Sequence, residues 1–424
     1  MSALITRRRV ARLAGYVSTQ VVVQVIGFAA GIVLVRNMAQ VQYGYYTLAT
    51  GMVGVASVLC ELGLATAVLS IGGRVSAAGA SLGHLFADAQ ALQRLVAAMA
   101  LAVVLPAFTL LLLHQRASLG QAISLSLLGA ACAVLNVRSA MALSLARLRG
   151  NLAFQQKLDL AANGGRLLLL VAIAKIMLDA TIASVLNLCA AAATLLVVGR
   201  QVAIQIGTTP PATGEYRPAL LHYVARQAPN AVYYVLSSQL PVWLIGLLGT
   251  ADRVAEVGAL GRLGAAFAII AASMGAVVQP YFARNHRPAE LRSGFLVVNL
   301  FFATLLFALV VLSSLYPRQV LWVLGARYAG LESELIWMVL ATSLSAWSAA
   351  LYTVGCARGW VMPSRIVITG GVLSTLLALR WFDVSTVSGS FMLNAFTAFV
   401  ATALTFGYVG LQLQRYQRNQ LAAS

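Results

Sequence analysis

The sequence predicts an all-α, polytopic membrane protein of about twelve transmembrane helices, in two six-helix lobes related by a parallel pseudo-two-fold repeat. Three observations carry this. Of 424 residues, 60% are apolar and only 9% charged, against roughly 45–50% and 25% in soluble domains. The apolar residues gather in stretches long enough to cross a ~30 Å hydrocarbon layer as helix. The basic residues fall mainly in alternate connections between those stretches. Together these exclude a soluble enzyme, a secreted disulfide scaffold and a disordered tail. An outer-membrane barrel is excluded too, because its strands alternate apolar and polar over about ten residues.

The first span, 11–35, follows Arg7, Arg8, Arg9 and Arg12. With no small-residue cleavage site nearby, it reads as a retained helix and not a signal peptide. Spans two to four cover 45–72, 95–113 and 119–145. Spans five and six, 158–177 and 180–199, are separated only by Leu178 and Asp179. A polar linker, 200–222, carries Pro210, Pro211, Gly214 and Pro218. Six further spans follow at 224–248, 257–282, 293–315, 331–355, 364–382 and 386–411. The predicted division is an N-terminal lobe 1–199, a cytoplasmic linker 200–222 and a C-terminal lobe 223–424.

The net charge of +18 raises nucleic acid as a partner, and its distribution argues against it. One side of the topology collects 19 basic residues and the other 7. Under the positive-inside rule this places both termini in the cytoplasm. Aromatic residues fall where interfacial belts belong, with Tyr43, Tyr45, Tyr46 and Trp322 among those on the outer side. Cys60, Cys132, Cys189 and Cys356 are widely spaced with no C-x-x-C pair. They read as small buried hydrophobes, and neither a metal nor a cofactor is expected.

The halves correspond in register. A shift of 214 residues places Arg12 on Arg226, Gln42 on Glu256 and Gly44 on Gly258. Tyr16, Gln20, Gln24, Gly27 and Gly31 share one helical face. Their shifted positions are Asn230, Tyr234, Ser238, Pro241 and Ile245. In span two Thr47, Thr50, Gly54, Ser57 and Glu61 form a stripe whose counterpart is Gly261, Gly264, Ala268, Ala271 and Gly275. With six spans per half, both halves enter the membrane in the same sense, as in transporters with two rocking lobes.

Several runs carry a family resemblance: Arg36–Ala49 (RNMAQVQYGYYTLA) with Glu61–Leu64 (ELGL), Leu248–Arg262 (LGTADRVAEVGALGR) with Gln279–Arg284 (QPYFAR), and Val323–Gly330 (VLGARYAG). In these the chain resembles the polysaccharide transporters, the O-antigen and exopolysaccharide flippases of the multidrug/oligosaccharidyl-lipid/polysaccharide exporter superfamily. The resemblance implies a bacterial inner-membrane protein that flips undecaprenyl-diphosphate-linked sugar repeat units by alternating access. Its partners would be a lipid-linked anionic oligosaccharide, membrane lipid, and the polymerase and export proteins of the same pathway. A drug/cation antiporter of the same superfamily and a membrane-embedded polysaccharide polymerase are the alternatives.

Four ionisable residues lie within spans: Glu61, Arg138, Arg166 and Arg262. Each costs several kcal/mol facing lipid and is expected at a cavity or a partner. Glu61 is predicted near mid-membrane, Arg138 and Arg166 together toward the cytoplasm, and Arg262 toward the periplasm. Arginine's planar fork matches phosphate oxygens. Gln20, Gln24, Asn230, Tyr234 and Ser238 would supply neutral hydrogen bonds for sugars. Structural roles compete with these readings: an ion pair for Glu61, and snorkelling for Arg138 and Arg262. The four histidines lie in loops or at span ends, and there is no nucleotide-binding glycine motif. An enzyme is therefore not predicted.

Overall fold

The computed structural model describes residues 2–77, 82–148, 152–174, 178–206, 211–264, 278, 281–284 and 287–423. These residues are all-α. The helices are α1 (Ser2–Asn37), α2 (Gln40–Glu61), α3 (Leu64–Ala77), α4 (Leu82–His114), α5 (Leu119–Leu148), α6 (Leu152–Ile173) and α7 (Ala180–Ile206). They continue with α8 (Arg217–Leu248), α9 (Ala251–Gly264), α10 (Pro288–Leu315), α11 (Pro317–Trp322), α12 (Glu332–Ala357), α13 (Ser364–Trp381) and α14 (Val387–Ala423). Among the described residues every predicted span is met by a helix, span eight being described as helix only to Gly264 before residue 278. Among the described residues nine helical stretches are long and apolar enough to cross a membrane. Helix α6 is not among them, because it carries Lys157, Asp159 and Arg166. The part of span eight at 265–277, with Ala268, Ala271 and Gly275, lies outside the described residues.

Local chemistry sets several boundaries. Asp179 opens α7 by accepting the Ile182 N–H at 2.7 Å, the side-chain cap that an orphan helix donor requires. Pro218 and Pro288 stand in the first turns of α8 and α10, where a missing N–H is harmless. Several helices outrun their predicted spans at the ends expected to be cytoplasmic. Helix α4 begins at Leu82 and α6 at Leu152. Hydropathy marks the hydrocarbon layer, whereas the helical hydrogen-bond ladder continues into polar sequence beyond it.

Span two, predicted as one continuous helix, is broken. Leu62 has φ 42° and Gly63 φ 80°, both left-handed, a region that glycine enters freely and leucine does not. The Leu62 N–H still closes on the Val58 carbonyl at 2.8 Å, and the Ala67 N–H restarts the ladder on Gly63 at 2.9 Å. Helix α2 has 22 residues, about 33 Å, which crosses the layer by itself. Helix α3 then packs into an apolar cluster with Leu85, Phe86, Met141, Val198 and Leu220.

By contacts the chain forms two compact units, residues 1–36 with 256–424, and residues 37–255. The predicted sequence halves, 1–199 and 223–424, partition the chain differently, because the first helix of each half packs with helices of the other half. In the 37–255 unit, α8 lies on α2, α3 and α4. Its approach is anchored by Asp88, a buried carboxylate accepting the N–H groups of Gly214 at 2.8 Å and Tyr216 at 3.0 Å. Its far end is held by the α4–α5 turn: Gln115 Nε2 donates to the carbonyls of Gly246 and Gly249, and His114 Nε2 meets the Leu247 carbonyl. In the 256–424 unit, Arg36 at the end of α1 donates to the carbonyls of Val323 at 3.0 Å and Trp322 at 2.7 Å.

Candidate functional site

The 37–255 unit holds an internal polar cluster built from three helices. Tyr46 of α2 is fully buried. Its hydroxyl accepts from Arg166 Nη2 of α6 at 2.9 Å and from Asn187 Nδ2 of α7 at 3.1 Å. The start of α7 is fixed by the Asp179 cap. It is also fixed by Gln42, whose Oε1 accepts from the Ala180 N–H and from Gln121 Nε2. On the α5 side, Asn136 donates to Cys132 Sγ at 3.7 Å. Two buried atoms of the cluster, Arg166 Nε and Asn187 Oδ1, have no hydrogen-bond partner among the described residues. No carboxylate pairs with Arg166 among those residues. Arg166 is half-buried, and a guanidinium drawn out of water without a counter-ion is costly. A ligand that offers both an anionic acceptor and a donor would satisfy both orphaned atoms.

Along α6, Arg166 stands fourteen residues from the start at Leu152. Helix α6 starts six residues before the predicted span, and Arg166 lies seven residues from its other end at Ile173, about 10 Å. Tyr46 does not belong to an outer aromatic belt; Tyr43, Tyr45 and Tyr46 are all buried. Glu61 does not sit at mid-helix. It is the last residue of α2, fifteen residues below Tyr46 and about 22 Å from it along the axis.

Glu61, Arg138 and Asn230 instead share a second level. Helices α2 and α8 run antiparallel, in a register fixed by Gly63 beside Gln227 and Gly51 beside Gln239. That register brings Asn230 level with Cys60 and Glu61. Val137 packs with Cys60, so its neighbour Arg138 stands at the same depth. Arg138 is exposed and, among the described residues, has neither a hydrogen bond nor an ion pair. Tyr234 and Ser238 are exposed on the face of α8 that continues from Asn230, Tyr234 at 74%. Helix α8 packs on α2, α3 and α4, while α6 packs on α5 and α7. None of the three α8 residues therefore joins the Arg166 cluster.

Gln20, Gln24 and Arg262 belong to the other unit. The two glutamines are half-buried on α1. The Arg262 stem passes Gly31 so closely that a Cβ there would lie 2.9 Å from its Cδ. Tyr46 and Asn187 are the functional candidates that sequence reasoning missed. The tyrosine looked like an interface anchor, and one asparagine in an apolar helix gave no pattern. The usable signal was that Asn187 lies seven residues into α7 and Arg166 seven from the end of α6, equal distances on either side of a short connection.

No protein-family model and no curated protein matches the chain. Solved structures do. The inward-facing conformation of a multidrug resistance MATE family transporter of the MOP superfamily matches with TM-score 0.72 at 14% identity, over 93% of this chain and 96% of that one. An outward-facing conformation of such a transporter matches with TM-score 0.62 at 16% identity, over 95% and 94%. A MOP superfamily transporter from Pyrococcus furiosus, described as having a binding pocket of reversed polarity that suggests a different function, matches with TM-score 0.65 at 15% identity over 96% of both chains. The chain thus has the fold of the MATE transporters of the MOP superfamily, along nearly its whole length.

Proposed function

We propose that this protein is a membrane exporter working by alternating access, and that its substrates are amphipathic organic molecules of the multidrug type bearing an anionic group. The fold likeness along almost the whole chain carries the transport reading, since the matched transporters include both inward- and outward-facing conformations. The anionic preference rests on Arg166, which donates to the Tyr46 hydroxyl that Asn187 shares and pairs with no carboxylate among the described residues. Along the 37–255 unit a substrate would meet the level of Glu61, Arg138 and Asn230 first and the Tyr46–Arg166–Asn187 cluster second. The lower level holds one cation and one acid at equal depth, charges that cancel from a distance and make a weak electrostatic site. The upper one offers an uncompensated cation, worth more where the dielectric is low.

Flipping of a lipid-linked oligosaccharide, with its diphosphate at Arg166, is the second reading. The same orphaned donor favours it, together with the amide-rich surroundings that suit sugar hydroxyls. In this reading the protein serves bacterial exopolysaccharide or O-antigen export from the inner membrane with both termini cytoplasmic.

Proteoliposomes separate the two. Fluorescent anionic, neutral and cationic dyes of similar size are offered in parallel with a fluorescent polyprenyl-diphosphate oligosaccharide. Uptake of anionic dyes that Arg166→Ala abolishes is the expected result. Transport of the lipid-linked sugar alone establishes the second reading. Uptake confined to cationic dyes and indifferent to Arg166 refutes the anionic site.

A further inference from the structure

A groove of about 810 Å³ lies between the start of α10 and the end of α14, wholly within the 256–424 unit. Its polar end is formed by Arg292, Ser293, Gln417 and Gln420, and its apolar end by Leu296, Val297 and Leu300. The gradient follows from helical spacing. Arg292, Leu296 and Leu300 stand at i, i+4 and i+8, so one face of α10 changes from cationic to aliphatic over about 12 Å. The two helices are clamped at the polar end by Gln417 Nε2 donating to the Pro288 carbonyl at 3.4 Å. They are joined further along by the Phe295 and Phe406 rings, 5.4 Å apart. Arg292 is exposed and, among the described residues, makes no hydrogen bond or ion pair. Its neighbour Arg287 is by contrast partnered by Glu290 at 3.4 Å.

From this geometry we propose that the groove is a binding site for one anionic phospholipid of the leaflet at the α10 N-terminal end. The phosphate sits on the Arg292 fork, and the headgroup hydroxyls hydrogen-bond to Ser293, Gln417 and Gln420. One acyl chain lies along Leu296, Val297 and Leu300. Charge complementarity selects the occupant. A zwitterionic lipid brings its own ammonium to a site that already holds an unpaired guanidinium, whereas an anionic headgroup neutralises it. The apolar end excludes free phosphate as the natural ligand, because a small anion leaves three aliphatic side chains without a partner. The orientation read from the basic connections puts this end on the cytoplasmic side, where anionic lipids concentrate. The groove shares no residue with the Arg166 cluster, so its test does not depend on what is transported.

The test is native mass spectrometry of the full-length chain in detergent, titrated with phosphatidylglycerol and with phosphatidylcholine of identical acyl chains. The wild type is expected to retain phosphatidylglycerol about fivefold better, the ratio set by one basic residue near an anionic surface. Arg292→Gln is expected to bring the two lipids to parity. Ser293→Glu, an exposed change that adds a negative charge, should do the same. Arg415→Gln, a neighbouring charge outside the groove, should leave the preference intact. Glycerophosphoglycerol, the headgroup without tails, should not compete at equal concentration. An unchanged preference in both groove variants overturns the proposal. So does an equal loss in Arg415→Gln, or full competition by the tail-less headgroup.

Discussion

Arg36 holds Trp322 twice over. Its Nη2 donates to the Trp322 carbonyl at 2.7 Å, and its guanidinium lies 5.0 Å from the centre of the Trp322 ring. The other half solves the same problem with the roles reversed. At the end of α1 the side chain belongs to the first helix and the carbonyls to the connection. At the end of α8 the carbonyls of Gly246 and Gly249 belong to the first helix, and the side chain is Gln115 of the connection. The two first helices are thus latched at equivalent ends by different chemistry.

Arg36→Ala should destabilise the 256–424 unit by about 1–2 kcal/mol, because hydrogen bonds and a ring contact are lost at an exposed site. Arg36→Lys keeps the charge and loses the fork, and should fall between. Thermal unfolding in detergent measures both. A midpoint for Arg36→Ala equal to that of the wild type disproves the latch.

Asp88→Ala should release the linker. Two backbone N–H groups lose their acceptor beside a buried site, about 1–3 kcal/mol of local stability. Limited digestion with a glutamate-specific protease should then cut after the exposed Glu215 several-fold faster, by mass of the fragments. Cleavage at the wild-type rate means that Asp88 does not hold the approach to α8.

Arg166→Ala should abolish transport at normal protein level, with only partial rescue by Arg166→Lys. Tyr46→Phe removes the hydroxyl that orients the guanidinium and should reduce transport by about tenfold, the value of one charge-assisted hydrogen bond. Adding Tyr46→Phe to Arg166→Ala should cost nothing more. Additive losses in that cycle, read as initial rates in proteoliposomes, would show that the two residues act separately.

Glu61 tests the driving force. An anionic substrate leaving a negative cytoplasm gains about 2.3 kcal/mol per charge per 100 mV. Export then needs no titrating acid, and Glu61 only offsets the cations on the empty carrier's return. Glu61→Gln is expected to slow turnover while leaving it dependent on potential and indifferent to a pH gradient. Ionophores set the two gradients independently in vesicles. If a pH gradient alone drives the wild type and Glu61→Gln loses that response, Glu61 is the coupling residue.

Helix number and order were legible because hydropathy reports the solvent around a helix, and the bilayer imposes that solvent over a fixed length. Helix ends beyond the hydrocarbon layer were not, as at α6, which starts six residues before its predicted span. The break at Leu62 escaped notice because one glycine in an apolar run is common in continuous membrane helices. Leu62 carries half of the turn against its own preference. Of the candidate site, Arg166 was legible as a charge too deep to snorkel. Tyr46 and Asn187 were not, since their partnership with it depends on how α2, α6 and α7 pack. The exchange of first helices had no sequence signal at all, because α1 and α8 are apolar on faces that either unit could cover.

That exchange sets an order in time. Helix α1 leaves the ribosome first, yet it packs with residues 256–424. At 5–20 residues per second, the intervening 219 residues take roughly 10–45 s to synthesise. During that interval α1 waits in the bilayer while the 37–255 unit, which already includes α8, is completed. The earliest helix inserted is the last to find its partners, and a chain stalled between the two units would leave one finished unit with a stray first helix.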